Sequence, residues 1–201
     1  MPPDDEATTP AEVVEEAVPA ISDFDAAVDR GFDRWLRGRP AIDRAMYTVS
    51  ELADFSLLWH LISSAKAARD EANLPASIRL SVVLGIESSF VNGVLKSLFK
   101  RERPIPEFER PHHLRMPLTS SFPSGHASAA FCAAGLLGED SRLQPAYYAL
   151  AAVVAASRVH VKIHHATDVL AGAVVGTVLA TVAKRVWRLP HRSGRNVRLA
   201  E

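Results

Sequence analysis

Apolar residues recur at helical spacing along most of the chain, and no stretch shows the alternation of a half-buried strand. The segment 21–38 is amphipathic, and its apolar face is formed by Ile21, Phe24, Val28, Phe32, Trp35 and Leu36. Five further segments carry helical patterns, at 42–69, 76–98, 124–138, 143–157 and 166–187. The pattern therefore predicts an all-α protein.

Charged residues are scarce between residues 116 and 183. This stretch holds six charged side chains in 68 positions, whereas 23% of the whole chain is charged. Its longest uncharged helical segments are shorter than the roughly 20 residues of a free-standing transmembrane helix, but a helix that ends at an aqueous site can carry polar residues within its span. The low charge favours a multi-pass protein of the cell membrane, a helical bundle of about five spanning helices plus an N-terminal amphipathic helix.

The two ends of the chain differ from this middle. Residues 1–20 are acidic and contain four prolines, which predicts a disordered tail. Residues 21–188 are predicted to form the helical domain, and residues 189–201 a basic C-terminal tail. The amphipathic segment 21–38 suits either a membrane surface or packing against the rest of the protein, and the pattern does not choose between them.

The net charge of zero is the sum of unlike parts. Residues 1–33 hold ten acidic residues and one basic residue, and residues 184–201 hold six basic residues and one acidic residue. Neutrality argues against a nucleic-acid partner, because such proteins usually carry a basic excess. The single cysteine, Cys132, excludes a disulfide framework and a cysteine-rich zinc site. When Lys96, Arg103 and Arg158 are left out, the basic residues divide evenly between the two expected membrane sides, so they do not assign an orientation.

Three polar clusters stand at the ends of predicted helices. The first, KSLFKRERP, runs from Lys96 to Pro104 where the segment 76–98 ends. Lys96 supplies a point charge and Arg103 a planar fork, a combination that suits a multidentate anion such as phosphate. A basic helix end that complements the helix dipole is the structural alternative.

The second cluster, SFPSGH, runs from Ser121 to His126 and opens the segment 124–138. A helix N-terminus with small residues points free backbone N–H groups at an anion. Ser124 adds a hydroxyl donor, Gly125 permits close approach, and His126 can protonate a leaving oxygen. A plain helix cap beside a surface histidine is the alternative interpretation.

The third cluster, SRVHVKIHHATD, runs from Ser157 to Asp168. Arg158 closes the segment before it, while His164 and Asp168 are four residues apart and are expected on one face at the start of the segment 166–187. A carboxylate bound to one ring nitrogen leaves the other nitrogen nucleophilic. A structural His–Asp pair and a metal pair are the alternatives, although no further residues complete a zinc ligand set.

The three clusters are expected to lie on the same side of the bundle. Successive helices alternate in direction, so the end of one segment and the start of the next face the same way. Three cations, an amide cradle and two histidines at one mouth suit in-line phosphoryl transfer.

The motifs K-x6-RP (96–104), PSGH (123–126) and SR-x5-H-x3-D (157–168) resemble the complete signature of the type 2 phosphatidic acid phosphatase family, and the resemblance covers roughly residues 24–187. It implies that the substrate phosphate is bound by Lys96, Arg103, Ser124, Gly125 and Arg158. It also implies that His164 attacks phosphorus to form a phosphohistidine, that Asp168 orients His164, and that His126 protonates the leaving alcohol. It implies no metal and no cofactor, and its expected partners are a lipid phosphate substrate and membrane lipids.

The implied reaction is hydrolysis of a lipid phosphate monoester or diphosphate. The candidates are a polyprenyl phosphate or diphosphate, a polyprenyl-phosphate sugar phosphate, and phosphatidic acid. The chain looks like the short bacterial lipid-phosphate phosphatases, some of which act in cell-wall synthesis. A soluble acid phosphatase or a vanadium-dependent haloperoxidase with the same pocket is the enzymatic alternative, and an anion-binding membrane scaffold is the non-enzymatic one. His160 and His165 fall outside the motif and are interpreted as neighbours of the site.

Overall fold

The structure is a computed structural model, and it describes residues 10–106, 110–112, 114–116 and 119–190. Every regular element in that part of the chain is helical, which confirms the predicted all-α class. The α-helices are α1 (Pro10–Trp35), α2 (Pro40–Leu52), α3 (Leu57–Arg69), α4 (Leu74–Ser89), α5 (Lys96–Leu98), α6 (Gly125–Leu137), α7 (Gln144–His160) and α8 (Ala166–Val186). The last three match the predicted segments closely.

The first helix begins earlier than its periodicity predicts. α1 starts at Pro10, so residues 10–20 are helical where a disordered tail was predicted. Residues 11–17 contain two alanines and three glutamates, which are strong helix formers, and a proline at the start of a helix loses no internal hydrogen bond. Residues 1–9 of the predicted acidic tail and residues 191–201 of the basic tail lie outside the described residues.

α1 lies against the rest of the protein with one face. Val28 and Phe32 pack against a small cluster formed by Ala127, Ala155, Val159 and Val169. Beside this face, Phe24 and Trp35 keep 44% and 59% of their surface exposed. α1 therefore packs on its own protein, as one of the two interpretations has it, and the membrane-surface interpretation stays a prediction.

The predicted segment 42–69 is broken into two helices. Phe55 and Ser56 adopt left-handed backbone conformations with φ of 53° and 59°, which a right-handed helix does not accommodate. No glycine or proline marks this break in the sequence, so the hydrophobic pattern runs through it. The break separates α2 from α3 and places Asp54 beside the start of α6.

The predicted segment 76–98 is a continuous helical run in which α4 passes through a π-helical stretch, Phe90–Leu95, into α5. Two of its three charged residues, Arg79 and Lys96, lie near its two ends. Near the start, buried Arg79 forms an ion pair with Glu139 and donates to the carbonyl oxygen of Trp187 over 2.9 Å. At the other end, Lys96 lies among the candidate site residues.

Small residues bring α6 and α8 unusually close together. A Cβ atom added at Gly172 or Gly176 of α8 would collide with the carbonyl oxygen of Ser124 or Ser128 of α6. α6 itself is almost entirely buried, and it packs against α4, α7 and α8. This packing fixes the first turn of α6 against the first turns of α8, where two of the three polar clusters meet.

Two helical runs, Glu71–Leu98 and Ala166–Val186, are long and apolar enough to cross a membrane. Each exposes an apolar residue at every fourth position along its length. These residues are Leu74, Ile78, Val82, Ile86, Phe90, Val94 and Leu98 on the first, and Leu170, Val174, Val178, Val182 and Val186 on the second. Such continuous apolar stripes suit contact with lipid tails. The helices α3, α6 and α7 are shorter than these two runs. The predicted number of about five spanning helices therefore stays a prediction.

Candidate active site

The structure brings the three polar clusters together at one end of the bundle. The backbone N–H of Ser124 donates to the carbonyl oxygen of Asp168 over 2.9 Å, which joins the second cluster to the third. Arg103 of the first cluster lies beside His164, with 3.4 Å between Nη1 and Nε2. The side chains named from the sequence therefore surround one small region.

Lys96 and Arg103 approach this region from the same side. Lys96 is buried and donates to the hydroxyl of Thr119 over 3.3 Å. The guanidinium of Arg103 donates to the carbonyl oxygens of Ile163, Thr119 and Ser120, while its buried Nε has no partner among the described residues. Carbonyl oxygens orient the fork of Arg103 but leave its charge uncompensated, so it can bind an anion.

Arg158 adds a third cation from the last turn of α7. Its side chain is 1% exposed, and its Nη1 donates to the hydroxyl of Ser50. Its Nε and Nη2 have no hydrogen-bond partner among the described residues. Buried donors are nearly always paired, so a guanidinium with two unpaired buried nitrogens indicates a place for an oxyanion.

The first turn of α6 carries Ser124 and Gly125, the residues predicted to form the amide cradle. The Ser124 side chain caps the helix by accepting from the backbone N–H of Ala127 over 3.4 Å. A Cβ atom at Gly125 would lie 3.3 Å from Oδ1 of Asn92 and 3.8 Å from Nζ of Lys96. The absence of a side chain at Gly125 therefore keeps the space beside the lysine ammonium open.

His164 and Asp168 form a buried pair, but they do not share a helix face as their spacing predicted. His164 lies in the turn before α8, and Asp168 is the third residue after the N-cap His165, so its carboxylate folds back over the helix start. The two residues meet with 3.6 Å between Nδ1 and Oδ2. A capping interaction, in which the backbone N–H of His165 donates to Oδ2 over 2.8 Å, brings about this contact.

The two nitrogens of His164 face opposite charges. Nδ1 faces Asp168, and Nε2 faces Arg103. Burial, together with the positive charges of Arg158 and Arg103, lowers the pKa of His164 to about 3 despite the opposing effect of Asp168. The imidazole is therefore neutral at neutral pH, and its Nε2 lone pair points toward the cations that would bind a phosphate.

His126 has an acidic partner of its own. Its Nε2 lies 2.8 Å from Oδ1 of Asp54, in the break between α2 and α3. Burial opposes ionisation of Asp54, but the bond to His126 and the charges of His126, Arg158 and Arg115 outweigh it and hold the pKa of Asp54 below its usual value. The ionised carboxylate of Asp54 stabilises a proton on the imidazole, but burial and the positive charge of Arg158 outweigh it and lower the pKa of His126 to about 4.

Several residues of the site were not identified from the sequence. Ser121 donates to Asp168 from just before the PSGH motif, and Arg101 donates to Asp168 from between Lys96 and Arg103. Arg101 lies in a run of basic residues, and charge alone does not indicate which of them has a role in the site. Asp54 lies far away in the chain, in a break that carries no sequence signal.

The two histidines outside the motif have other partners. His160 pairs with Asp43 of α2, with 2.8 Å between Nε2 and Oδ1, and His165 forms the N-cap of α8. In the part of the chain that the structure describes, no three side chains of His, Cys, Asp or Glu are grouped so that they could hold a metal ion.

Comparisons with known proteins agree on one family. The family model of the PAP2 superfamily matches residues 76–192. The chain is 30% identical over 141 residues to decaprenylphosphoryl-5-phosphoribose phosphatase of Mycolicibacterium smegmatis, a match that covers 68% of this chain and 74% of that protein.

Solved structures show the same fold. The transmembrane PAP2-type phosphatidylglycerolphosphate phosphatase of Bacillus subtilis matches with a TM-score of 0.62 and 26% identity, covering 83% of this chain and 86% of that one. LpxE of Aquifex aeolicus matches with a TM-score of 0.62 and 24% identity, covering 80% and 94% of the two chains.

Proposed function

Because this chain belongs to the PAP2 superfamily and is a phosphoric ester hydrolase of the membrane lipid-phosphate type, we propose that it removes the phosphate from a polyprenyl-linked sugar phosphate with His164 as its nucleophile. The observation that carries this proposal is the position of His164 Nε2, 3.4 Å from Nη1 of Arg103 at the mouth shared by Lys96, Arg158 and the start of α6. The relative that acts on decaprenylphosphoryl-5-phosphoribose supports the choice of a polyprenyl substrate.

Substrate binding relies on charge and on backbone donors. The phosphate oxygens accept hydrogen bonds from Lys96, Arg103 and Arg158 and from the first turn of α6 at Ser124 and Gly125. The unpaired nitrogens of Arg158 and Arg103 gain partners when the anion binds. A planar guanidinium on each side of the phosphate would also stabilise the charge that develops on its equatorial oxygens.

The first chemical step forms a bond between Nε2 of His164 and phosphorus. The bond from phosphorus to the leaving oxygen breaks, and His126 transfers its proton to that oxygen, so the product leaves as an alcohol. Asp168 accepts a hydrogen bond from Nδ1–H of His164 and stabilises the positive charge that forms on the ring. Asp54 favours the protonated form of His126 before the step.

The second step returns the enzyme to its starting state. His126, now neutral, accepts a proton from a water molecule as the water oxygen attacks phosphorus. The bond between phosphorus and Nε2 breaks, inorganic phosphate forms, and His164 is again neutral. The same residue thus acts as acid and then as base, as microscopic reversibility requires.

The membrane setting is supported by the exposed apolar stripes on the run 71–98 and on α8. In water these stripes would form a large exposed apolar surface, which is unusual for a soluble phosphatase or haloperoxidase. A membrane enzyme with its site at one end of the bundle receives a substrate whose phosphate lies at the bilayer surface.

Phosphate release from a panel of lipids tests this function. Purified protein in detergent with EDTA is expected to act on a polyprenyl-phosphate sugar phosphate, a polyprenyl phosphate and phosphatidic acid, with the highest kcat/KM for the first, and vanadate should inhibit it. His164→Gln should lower kcat by at least about a thousandfold, since it removes the nucleophile. Failure of the wild-type protein to release phosphate from any of the three lipids would overturn the proposal.

A further inference from the structure

Both carboxylate oxygens of Asp168 are held by other groups. Oδ2 accepts from the hydroxyl of Ser121 and from the backbone N–H of His165, and it also faces His164. Oδ1 accepts from Nη1 of Arg101 over 2.5 Å. Asp168 is fully buried, so these contacts alone fix the rotation of its carboxylate.

Arg101 is held in turn by a residue of α1. Its Nη2 donates to Oδ2 of Asp25 over 2.6 Å. Asp25 is 6% exposed, and it also accepts from the backbone N–H and the hydroxyl of Thr167, each over 2.8 Å. Arg101 completes the group by donating to the Thr167 hydroxyl over 2.8 Å. The guanidinium thus bridges two buried carboxylates, one from α1 and one from α8.

These contacts distinguish Arg101 from its neighbours in the basic run. Nη1 and Nη2 of Arg101 are already bonded to two carboxylates and one hydroxyl. Among the described residues, Arg103 bonds only to uncharged groups, namely three carbonyl oxygens and Nε2 of His164, and Arg158 donates to one hydroxyl. The charge of Arg101 is therefore compensated within the protein, whereas the other two arginines keep theirs for an anion.

We propose that Arg101 and Asp25 are positioning residues for the His164–Asp168 pair, so that helix α1 is a working part of the active site. This inference rests on the proposed function of His164. Asp25 fixes the plane of the Arg101 guanidinium, and Arg101 fixes the carboxylate of Asp168. Asp168 in turn sets the ring of His164 for attack. Without Arg101, the carboxylates of Asp25 and Asp168 would both remain buried without the cation that lies between them.

A split between kcat and KM tests this chain of contacts. Asp25→Asn keeps an oxygen for Thr167 but removes the charge that holds Arg101, and Arg101→Gln removes the bridge itself. Each should lower kcat by about 10- to 100-fold with little change in KM. This is the loss seen in metal sites when a residue that orients a metal-binding histidine is removed. Arg101→Lys should recover only part of the loss, because one ammonium cannot bridge both carboxylates as a fork does.

The matched control is another acid of the same helix. Asp33 pairs with Arg37 over 2.7 Å and lies 3.7 Å from Lys162, away from the network, so Asp33→Asn should keep the wild-type kcat. A general loss of α1 packing would lower kcat in Asp33→Asn as well, and that result would overturn the positioning role. Thermal unfolding of each variant in detergent identifies any variant that is misfolded. If Arg101→Gln is misfolded, the kcat of Asp25→Asn, the smallest change, decides the test.

A double-mutant cycle shows whether Asp25 acts through Arg101. In the Arg101→Gln background, Asp25→Asn should cause no further loss of kcat, because the residue that it holds is gone. Additive losses would show that Asp25 does not act through Arg101. An unchanged kcat in both single variants of an active enzyme would also contradict the proposal. If the wild-type protein itself releases no phosphate, the proposed function fails instead, so the two failures are distinguishable.

Discussion

At the scale of single residues, the two histidines of the site differ in the charges that surround them. His164 is buried between a carboxylate and two arginines, and its lowered pKa keeps it neutral at neutral pH. His126 is bonded to Asp54, whose pKa is held below its usual value. Nε2 of His164 thus faces a cation and Nε2 of His126 faces a carboxylate, an arrangement that suits the proposed division into nucleophile and proton donor.

The role of His126 predicts a dependence on the leaving group. His126→Gln should lower kcat for a lipid phosphate by about 10²- to 10⁴-fold, because an alkoxide leaves poorly without a proton. The loss should be much smaller for an aryl phosphate such as p-nitrophenyl phosphate, whose phenolate needs no proton to leave. Steady-state rates on both substrates provide the comparison, with His164→Gln as the control that loses both activities.

Asp54→Asn extends this prediction to the partner of His126. The amide no longer favours the protonated imidazole, so this variant should show the same preference for the aryl phosphate as His126→Gln, to a smaller degree. Equal losses on the two substrates would show that neither residue delivers the proton, and His126 would then serve only to bind the phosphate.

At the scale of elements, the sequence predicted the helices whose apolar pattern is continuous. α6, α7 and α8 follow their predicted segments because a long uncharged stretch forms most of each helix. The break at Phe55 and Ser56 was missed, since neither residue type ordinarily marks a left-handed turn. Asp54, Asp25 and Arg101 were missed for a related reason: their importance comes from partners that are distant in sequence, on helices whose relative placement periodicity does not specify.

The contact between α6 and α8 predicts a strong effect of one methyl group. Gly176→Ala should destabilise the protein by about 1–3 kcal/mol, because the new Cβ atom collides with a backbone carbonyl of α6 that cannot rotate away. It should also lower kcat, since the start of α6 carries Ser124, Gly125 and His126. Unfolding in detergent and phosphate release measure the two effects.

Gly85→Ala is the matched control for this helix contact. Gly85 lies in α4 with no heavy atom within 4 Å of an added Cβ atom, and alanine is the better helix former. It should leave stability unchanged or slightly raised and keep the wild-type kcat. If Gly176→Ala behaved like Gly85→Ala, the close packing of α6 and α8 would not support the site.

At the scale of the whole molecule, a net charge of zero conceals a strongly polarised arrangement. Acidic residues of α1 meet basic residues of the site region: Asp25 pairs with Arg101, and Asp29 lies 3.0 Å from Lys162. In the part of the chain that the structure describes, no acidic side chain lies within ion-pair distance of Lys96, Arg103 or Arg158. The apolar stripes follow the outside of the run 71–98 and of α8, and these three cations lie together at one end of the bundle.

The most direct test of His164 as the nucleophile is to trap the phosphohistidine intermediate. Wild-type protein mixed with a ³²P-labelled polyprenyl-linked sugar phosphate and quenched within one turnover should carry label in an acid-labile, base-stable linkage. Peptide mapping under alkaline conditions should place that label on His164 rather than on its neighbour His165, and His164→Gln should carry none. Label on another residue, or turnover by His164→Gln at the wild-type rate, would contradict the account.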